Sequence, residues 1–169
     1  MLKGKGSFIL IAFFSFILDQ VSKLLIDRSL FPGESRVIIN GFLDITYAKN
    51  TGAAFGLFSQ SISPLKPILF YLFSIVAIAV IIYYILRFPA RERGIQLALA
   101  LIFAGALGNF LDRLRLGYVI DFIDIHLKGY HWPTFNIADS VICIGVGILI
   151  YKMITAPSEE KKEDASDII

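Results

Sequence analysis

The sequence predicts an all-α integral membrane protein with four transmembrane helices, and two observations lead to this prediction. Hydrophobic residues make up 56% of the 169 residues, and the mean hydropathy of +0.71 is too high for a soluble domain of this length. Four stretches approach or exceed the roughly 20 apolar residues that a membrane-spanning helix needs. They are residues 7–26, 67–86, 94–111 and 135–156.

The first span follows Lys3 and Lys5 and resembles a cleaved signal peptide in this respect. No small-residue cleavage site follows it, and the polar segment "DQVSK" continues the helix, so we expect the span to be retained. The second and third spans contain no charged residue and are the most clearly defined of the four. Residues 1–156 are therefore expected to form one polytopic membrane domain, followed by a polar, disordered tail at 157–169.

Four spans place both chain termini on the same side of the membrane. The 16 Lys and Arg residues divide equally between the two sides, so their totals do not decide the orientation. Arg87, Arg91 and Arg93 lie in one short turn close to the span ends, where the positive-inside rule applies. We therefore expect both termini and the tail to be cytoplasmic, and the loops 27–66 and 112–134 to be extracytoplasmic.

The charge pattern and the cysteine content argue against several classes of function. The net charge of +2 is spread along the chain without the basic face that nucleic-acid binding needs, so no nucleic-acid partner is expected. The single Cys143 cannot form an intramolecular disulfide, and an apolar helix makes its thiol unreactive. His126, His131 and Asp124 match no closed zinc pattern, so no metal site is expected.

Polar residues in three of the spans converge at one depth of the membrane, and their spacings place them on one face of each helix. Capping and charges that reach the interface would explain some of them, including the pair Asp112–Arg113 and Asn136 as an N-cap. They do not explain Asp139, because its side chain is too short to reach the interface. Placing an ionised carboxylate in the apolar centre of the membrane costs on the order of 3 kcal/mol. The converging residues are Asp19 and Lys23 at the outer end of span one, Asn109, Asp112 and Arg113 at the outer end of span three, and Asn136 and Asp139 at the outer start of span four.

A carboxylate at this depth suggests acid–base chemistry with a second carboxyl group. Two more aspartates, Asp121 and Asp124, lie in the loop that leads into the fourth span. In an aspartic hydrolase, one carboxylate takes a proton from water and a second carboxyl donates a proton to the carbonyl under attack. The spacing alone does not say which loop aspartate would pair with Asp139. Intramembrane charges are also typical of transporters and proton-coupled channels, so an ion pathway is the alternative.

Five short segments resemble the successive motifs of the bacterial lipoprotein signal peptidases, the signal peptidase II family, and they occur in the same order. The resemblance extends from residue 19 to residue 139. The five motifs together are specific to this family, although each alone is weak. They are "DQVSK" (19–23), "KNTGAAFG" (49–56), "GNFLDR" (108–113), "VIDF" (119–122) and "FNIAD" (135–139).

The resemblance implies an aspartic endopeptidase of the bacterial cytoplasmic membrane, surrounded by membrane lipids. Such an enzyme removes signal peptides from prolipoproteins by cutting just before a diacylglyceryl-modified Cys, and it needs no cofactor because water is the nucleophile. By match to the motifs, Asp121 and Asp139 would be the catalytic pair and Asp124 a neighbour. The matching positions that would support the pair and bind substrate are Asp19, Lys23, Asn50, Gly52, Asn109, Arg113 and Asn136.

The resemblance also implies a small extracytoplasmic β-sheet cradle and a short surface helix beside the four transmembrane helices. Residues 36–50 show β-branched alternation around a turn at Asn40-Gly41, which fits the cradle. The segment "GLFSQSI" at 56–62 is amphipathic and fits the surface helix. We expect residues 19, 50, 113, 121 and 139 to surround one pocket at the extracytoplasmic face.

Overall fold

Four helices dominate the computed structural model, which describes residues 4–52 and 65–155. All four are long and apolar enough to cross a membrane, as the sequence predicts. The predicted surface helix at 56–62 and the predicted tail at 157–169 lie outside the described residues. The helices are α1 (Gly6–Ser29), α2 (Leu65–Arg87), α3 (Arg93–Leu116) and α4 (Ile137–Thr155).

Helix α3 is the centre of the bundle. It packs against α1, α2 and α4, whereas α2 makes at most marginal contact with α1 or α4. Glycines bring α3 close to its partners, because a Cβ on Gly105 would collide with the Ala138 backbone in α4 and a Cβ on Gly108 would collide with the Asp19 carboxylate in α1. Two clefts therefore run beside α2, one toward α1 and the other toward α4.

The bounds of α3 and α4 differ from the predicted ones at the ends beside the converging polar residues. Helix α3 continues to Leu116 instead of ending at residue 111, and Gly117 ends it in the left-handed conformation with a φ of 79°. Asp112 and Arg113 therefore lie within the helix. Helix α4 begins at Ile137 instead of residue 135, so Asn136 immediately precedes it.

A four-stranded antiparallel sheet lies at the end of the bundle where α1 ends and α4 begins. Its order is β1 (Ser35–Ile39), β2 (Leu43–Asn50), β3 (Val119–Leu127) and β4 (Tyr130–His131). The turn between β1 and β2 contains Gly41 with a φ of 75°, as the Asn-Gly pair predicts. The sequence predicted strands only within the loop 27–66, and the structure adds β3 and β4 from the segment before α4.

A small apolar core fixes the sheet to the helices. The buried side chains of Tyr47, Ile120 and Phe122 pack with Leu30, the residue that follows α1. The Tyr47 hydroxyl also donates a hydrogen bond to Asp27 Oδ1, in the last turn of α1, at 2.6 Å. These contacts hold the β2–β3 pair against the ends of the helices.

Candidate active site

The candidate site lies where the β2–β3 pair meets α3 and the start of α4. A cavity of about 560 Å³ opens here into the cleft between α2 and α4. Apolar side chains, including Phe73 and Ala77 of α2 and Ile142 of α4, form its membrane-facing part. A ligand in this cavity would therefore meet polar groups at one end of an apolar cleft. These groups include Asn50, Asn109, Arg113, Asp121 and Asp139.

Asp121 is held by two side-chain amides. It lies in β3, opposite Ala48 of β2, and is 2% exposed. Its Oδ2 accepts a hydrogen bond from Asn50 Nδ2 at 2.9 Å, and its Oδ1 accepts one from Asn136 Nδ2 at 2.7 Å. Burial raises the pKa of Asp121 to about 6, aided by the charge of Asp139 and opposed by the amide hydrogen bonds. This carboxyl therefore keeps its proton up to about pH 6, well above the range of an ordinary aspartate.

The raised pKa predicts a pH-dependent contribution to stability. The pKa of Asp121 is about 6 in the folded protein and 3.8 for the ordinary group, so the folded state holds this proton more tightly than the unfolded state. The resulting contribution to stability is fully present below about pH 4 and is lost as the pH rises from there through 6. Asp121→Asn stays neutral and should lack this component, which amounts to at most about 3 kcal/mol. In thermal unfolding in detergent, the unfolding temperature of the variant relative to that of the wild type should be higher at pH 7.5 than at pH 4.5. Parallel pH profiles for Asp121→Asn and the wild type would contradict the prediction.

Asp139 and Asn136 form a reciprocal cap at the start of α4. Asn136 Oδ1 accepts a hydrogen bond from the Asp139 backbone N–H at 3.0 Å, and Asp139 Oδ2 accepts one from the Asn136 backbone N–H at 3.2 Å. This is the capping-box arrangement of an N-cap residue and the residue three positions later. The other carboxyl oxygen of Asp139 accepts a hydrogen bond from Asn109 Nδ2 at 2.8 Å. Every oxygen of this carboxylate therefore has a donor, although it begins an apolar helix.

Asn136 connects the two carboxyl groups and is fully buried. Its oxygen caps α4 beside Asp139, while its amide nitrogen donates to Asp121. The N-cap role that the sequence left as an alternative is thus present together with a role in the site. Asn136 therefore bonds the Asp121 carboxyl through its side chain and the Asp139 carboxyl through its backbone N–H.

A buried ion cluster lies behind the cavity. Lys23 Nζ lies 2.9 Å from Asp19 Oδ2 and 2.8 Å from Asp112 Oδ2, and all three residues are at most 3% exposed. Lys23 also donates a hydrogen bond to Asn109 Oδ1 at 2.9 Å. Asp19 Oδ1 accepts one from the Ala138 backbone N–H at 2.9 Å, which ties α1 to the first turn of α4. The cluster therefore holds the elements that carry the cavity's polar groups.

The predicted supporting residues occupy two different places. Asn50, Asn109 and Arg113 line the cavity, whereas Asp19 and Lys23 do not and support it from behind. Gly52 lies between two lining residues. Its carbonyl oxygen accepts a hydrogen bond from Arg113 Nη2 at 3.3 Å, and its N–H donates to Asn50 Oδ1 at 2.9 Å.

Asp124 lies apart from the cavity. It is three residues from Asp121 in the strand β3, so the two side chains point to opposite faces of the sheet. Both of its oxygens lie 2.9 Å from His131 Nδ1, and the His131 ring stacks on His126, which lies 3.4 Å from Asp44 Oδ2. Within residues 4–52 and 65–155, no three His, Cys, Asp or Glu side chains are grouped to hold a metal ion.

Sequence reasoning left one residue of the site open and missed another part. The spacing of Asp112 from Asn109 placed it on the inward face, but a charge at the interface was the alternative and Asp112 was not among the predicted supporting residues. The structure decides for the inward position, because Asp112 is buried and paired with Lys23. Trp132 and residues 133–135 also line the cavity. Their position depends on the strand β3, which the sequence did not predict.

Comparisons with known proteins find several that are similar to this chain over most of its length. A family model described as signal peptidase (SPase) II matches residues 11–155. The chain is similar to the lipoprotein signal peptidase of Geobacter sulfurreducens, with 49% identity over 140 residues that cover 83% of this chain and 86% of that protein. It is also similar to the lipoprotein signal peptidase of Staphylococcus aureus, with 40% identity over 159 residues that cover 94% of each.

Two solved structures of bacterial membrane enzymes, both obtained by the in meso method, have a similar fold. The one at 1.9 Å resolution has a TM-score of 0.81 and 38% identity, and the match covers 90% of this chain and 95% of that chain. The one at 2.3 Å resolution has a TM-score of 0.79 and 41% identity, and the match covers 88% of each chain. The four helices and the sheet thus have close structural counterparts among membrane enzymes.

Proposed function

Because the chain belongs to the signal peptidase II family, we propose that it cuts prolipoproteins just before a diacylglyceryl-modified cysteine, with Asp121 and Asp139 as its catalytic pair. Family membership establishes the coarser activity: the protein is a membrane protease that removes signal peptides from prolipoproteins. One observation carries the assignment of the pair. Both carboxyls line one cavity, and both are hydrogen-bonded to Asn136.

Asp121 is the proposed general acid and Asp139 the proposed general base. The raised pKa of Asp121 supports this division, since a proton on one of two neighbouring carboxyls avoids like-charge repulsion. Asp139 takes a proton from water as the water oxygen bonds to the scissile carbonyl carbon, while Asp121 donates its proton to the carbonyl oxygen. The C–N bond then breaks as the proton on Asp139 passes to the departing nitrogen and the hydroxyl proton returns to Asp121.

The neighbouring polar residues have proposed roles in positioning. Asn50 and Asn109 each donate a hydrogen bond to one carboxyl, which fixes the orientation of the pair. Arg113 donates to the carbonyl oxygens of Asn109 and Gly52, and these bonds occupy only two of its five N–H donors. The remaining donors of Arg113 are available to carbonyl oxygens of the substrate backbone.

The cleft between α2 and α4 is the proposed entrance for the substrate. A signal-peptide helix and two acyl chains all partition into lipid, so an apolar cleft open to the membrane receives them without extracting them into water. Phe73 and Ala77 on α2 and Ile142 on α4 provide the apolar walls. The scissile bond would then lie at the polar end of the cleft.

The proposed location is the bacterial cytoplasmic membrane, with both termini cytoplasmic and the sheet and the site at the extracytoplasmic face. The site and the sheet lie at one end of the bundle, and the turn between α2 and α3, with Arg91 in it and Arg87 and Arg93 beside it, lies at the other. The positive-inside rule supports a cytoplasmic position for this turn. A cleavage site on the opposite side suits precursors whose lipid-modified cysteine has crossed the membrane.

A cleavage assay tests this function. Purified protein in detergent, incubated with a lipidated prolipoprotein, should yield a shortened product on a gel, and the same precursor without its diacylglyceryl group should stay intact. Proton flux in liposomes without cleavage would instead indicate a transporter. The sequence of α3 supports the protease, because residues 97–108 between Gln96 and Asn109 contain no polar side chain that would continue an ion pathway.

A further inference from the structure

A second cavity lies at the end of the bundle opposite the sheet. It has a volume of about 490 Å³ and occupies the cleft between α1 and α2. Phe13 of α1 and Ile82 of α2 contribute to its walls, and the small residues Ala100 and Ala104 of α3 form its floor. We call this cavity the α1–α2 groove. Its size falls in the range of small-molecule pockets, roughly 300–1,000 Å³, and its lining selects an apolar occupant.

The groove has the length of one membrane leaflet. Along α3 it extends from Gln96 to Leu107, which is about 16 Å at the rise of an α-helix. The hydrocarbon core of a bilayer is roughly 30 Å thick, so one leaflet accounts for about 15 Å of it. An extended acyl chain lying along α3 therefore matches the groove.

The two polar residues that line the groove, Lys5 and Gln96, already have hydrogen-bond partners within the protein. Lys5 Nζ donates hydrogen bonds to the carbonyl oxygens of Ile85 and Phe88 at the end of α2, the latter at 2.7 Å. Gln96 Nε2 donates to the Phe88 carbonyl oxygen at 2.7 Å. Lys5 and Gln96 are 3% and 1% exposed. They cap α2 and are not available to a ligand.

A basic pocket adjoins the groove at the membrane surface. Its volume is about 550 Å³, and Ser7, Phe8, Arg91 and Arg93 are among its lining residues. Phe8 lines the groove as well, so the two cavities are neighbours. Both arginines are exposed, and within residues 4–52 and 65–155 neither side chain makes an ion pair or hydrogen bond. Two cations are thus available beside the end of an apolar groove.

We propose that the α1–α2 groove and the basic pocket form one binding site for an anionic glycerophospholipid of the leaflet opposite the sheet. An acyl chain lies in the groove, and the phosphate contacts Arg91 and Arg93. Arginine and phosphate form charge-assisted, often bidentate hydrogen bonds. The chain's own tail at 157–169 carries five acidic residues and would also attract the arginines, but its polar side chains are unsuited to an apolar groove. The bound lipid bridges α1 and α2, which scarcely contact each other directly.

Native mass spectrometry of the full chain in a neutral detergent tests the proposal. After removal of lipid, the protein is titrated with phosphatidylglycerol and, separately, with phosphatidylcholine. Phosphatidylglycerol should bind more tightly, and Arg91→Gln/Arg93→Gln should weaken its binding by roughly 30-fold. The charge-matched control Arg87→Gln/Arg115→Gln removes two arginines that line neither cavity and should leave the affinity unchanged. Equal affinity for the two lipids, or equal losses in the two double variants, would overturn the proposal.

A second variant separates the acyl chain from the phosphate. Ala12 lines the groove, so Ala12→Trp should fill it and reduce phosphatidylglycerol binding although both arginines remain. Cooperative thermal unfolding at the wild-type temperature shows that the variant is folded. Displacement of the lipid by an equal concentration of glycerol phosphate would reduce the site to a phosphate site and overturn the proposal. Tight binding to a chain that ends at Thr155, but not to the full chain, would assign the arginines to the acidic tail and overturn it as well.

Discussion

Asp121→Asn, Asp139→Asn and the double variant are expected to cleave a lipidated prolipoprotein at almost the same low rate, whereas Asp124→Asn should keep substantial activity. Asparagine has nearly the size of aspartate and still forms hydrogen bonds, but it can neither take a proton from water in place of Asp139 nor donate one to the carbonyl oxygen in place of Asp121. Loss of acid–base catalysis costs about 10²- to 10⁴-fold in rate, and residues that act as one unit are strongly non-additive. Single-turnover cleavage by the four variants measures these rates.

Folding and binding have to be checked separately for these variants. Asp121 accepts hydrogen bonds from two amides, and an asparagine at this position can accept only through its one oxygen. Cooperative unfolding and binding of the lipidated precursor should nevertheless be retained. An inactive Asp124→Asn beside an active Asp121→Asn would show that the loop aspartate is wrongly assigned. A near wild-type rate for Asp139→Asn would exclude the aspartic mechanism itself.

Lys23→Ala is expected to lower the free energy of unfolding by about 3–5 kcal/mol while leaving residual cleavage. The variant removes the cation that faces Asp19 and Asp112, and it leaves two carboxylates buried without their partner. Residual cleavage is expected because Lys23 does not line the cavity. Thermal unfolding in detergent measures the loss of stability, and single-turnover cleavage at a temperature where the variant is folded measures the chemistry.

Three further variants make this test specific. Lys23→Ala/Asp112→Asn removes one charge of each sign and should recover part of the stability that Lys23→Ala loses. Arg28→Ala, at an exposed position of the same helix, should change stability little. Arg113→Ala should weaken processing without abolishing it, because Arg113 lines the cavity but transfers no proton in the proposed mechanism. Complete loss of cleavage in a well-folded Lys23→Ala protein would make Lys23 a participant in the chemistry.

The sequence alone determined the membrane-spanning helices and the depth of the site. The four helices follow from composition and length, because a bilayer requires long apolar segments whatever their neighbours are. The convergence of Asp19, Asn109 and Asp139 follows from the alternating direction of the spans and the period of the α-helix. The turn at Gly41 follows from local backbone geometry. The family resemblance selected Asp121 over Asp124, which spacing alone had left open.

Only the tertiary structure decided how these groups contact each other. Asp121 and Asp124 face opposite sides of the sheet because the pairing of β2 with β3 sets which face lies against the helices. Asn136 contacts both carboxyls because α4 begins one residue after it and β3 passes beside it. Asp112 became a partner of Lys23 because α3 continues beyond its predicted end. Each of these contacts joins residues far apart in the chain or depends on an exact helix end, and local hydrophobic periodicity carries no information about either.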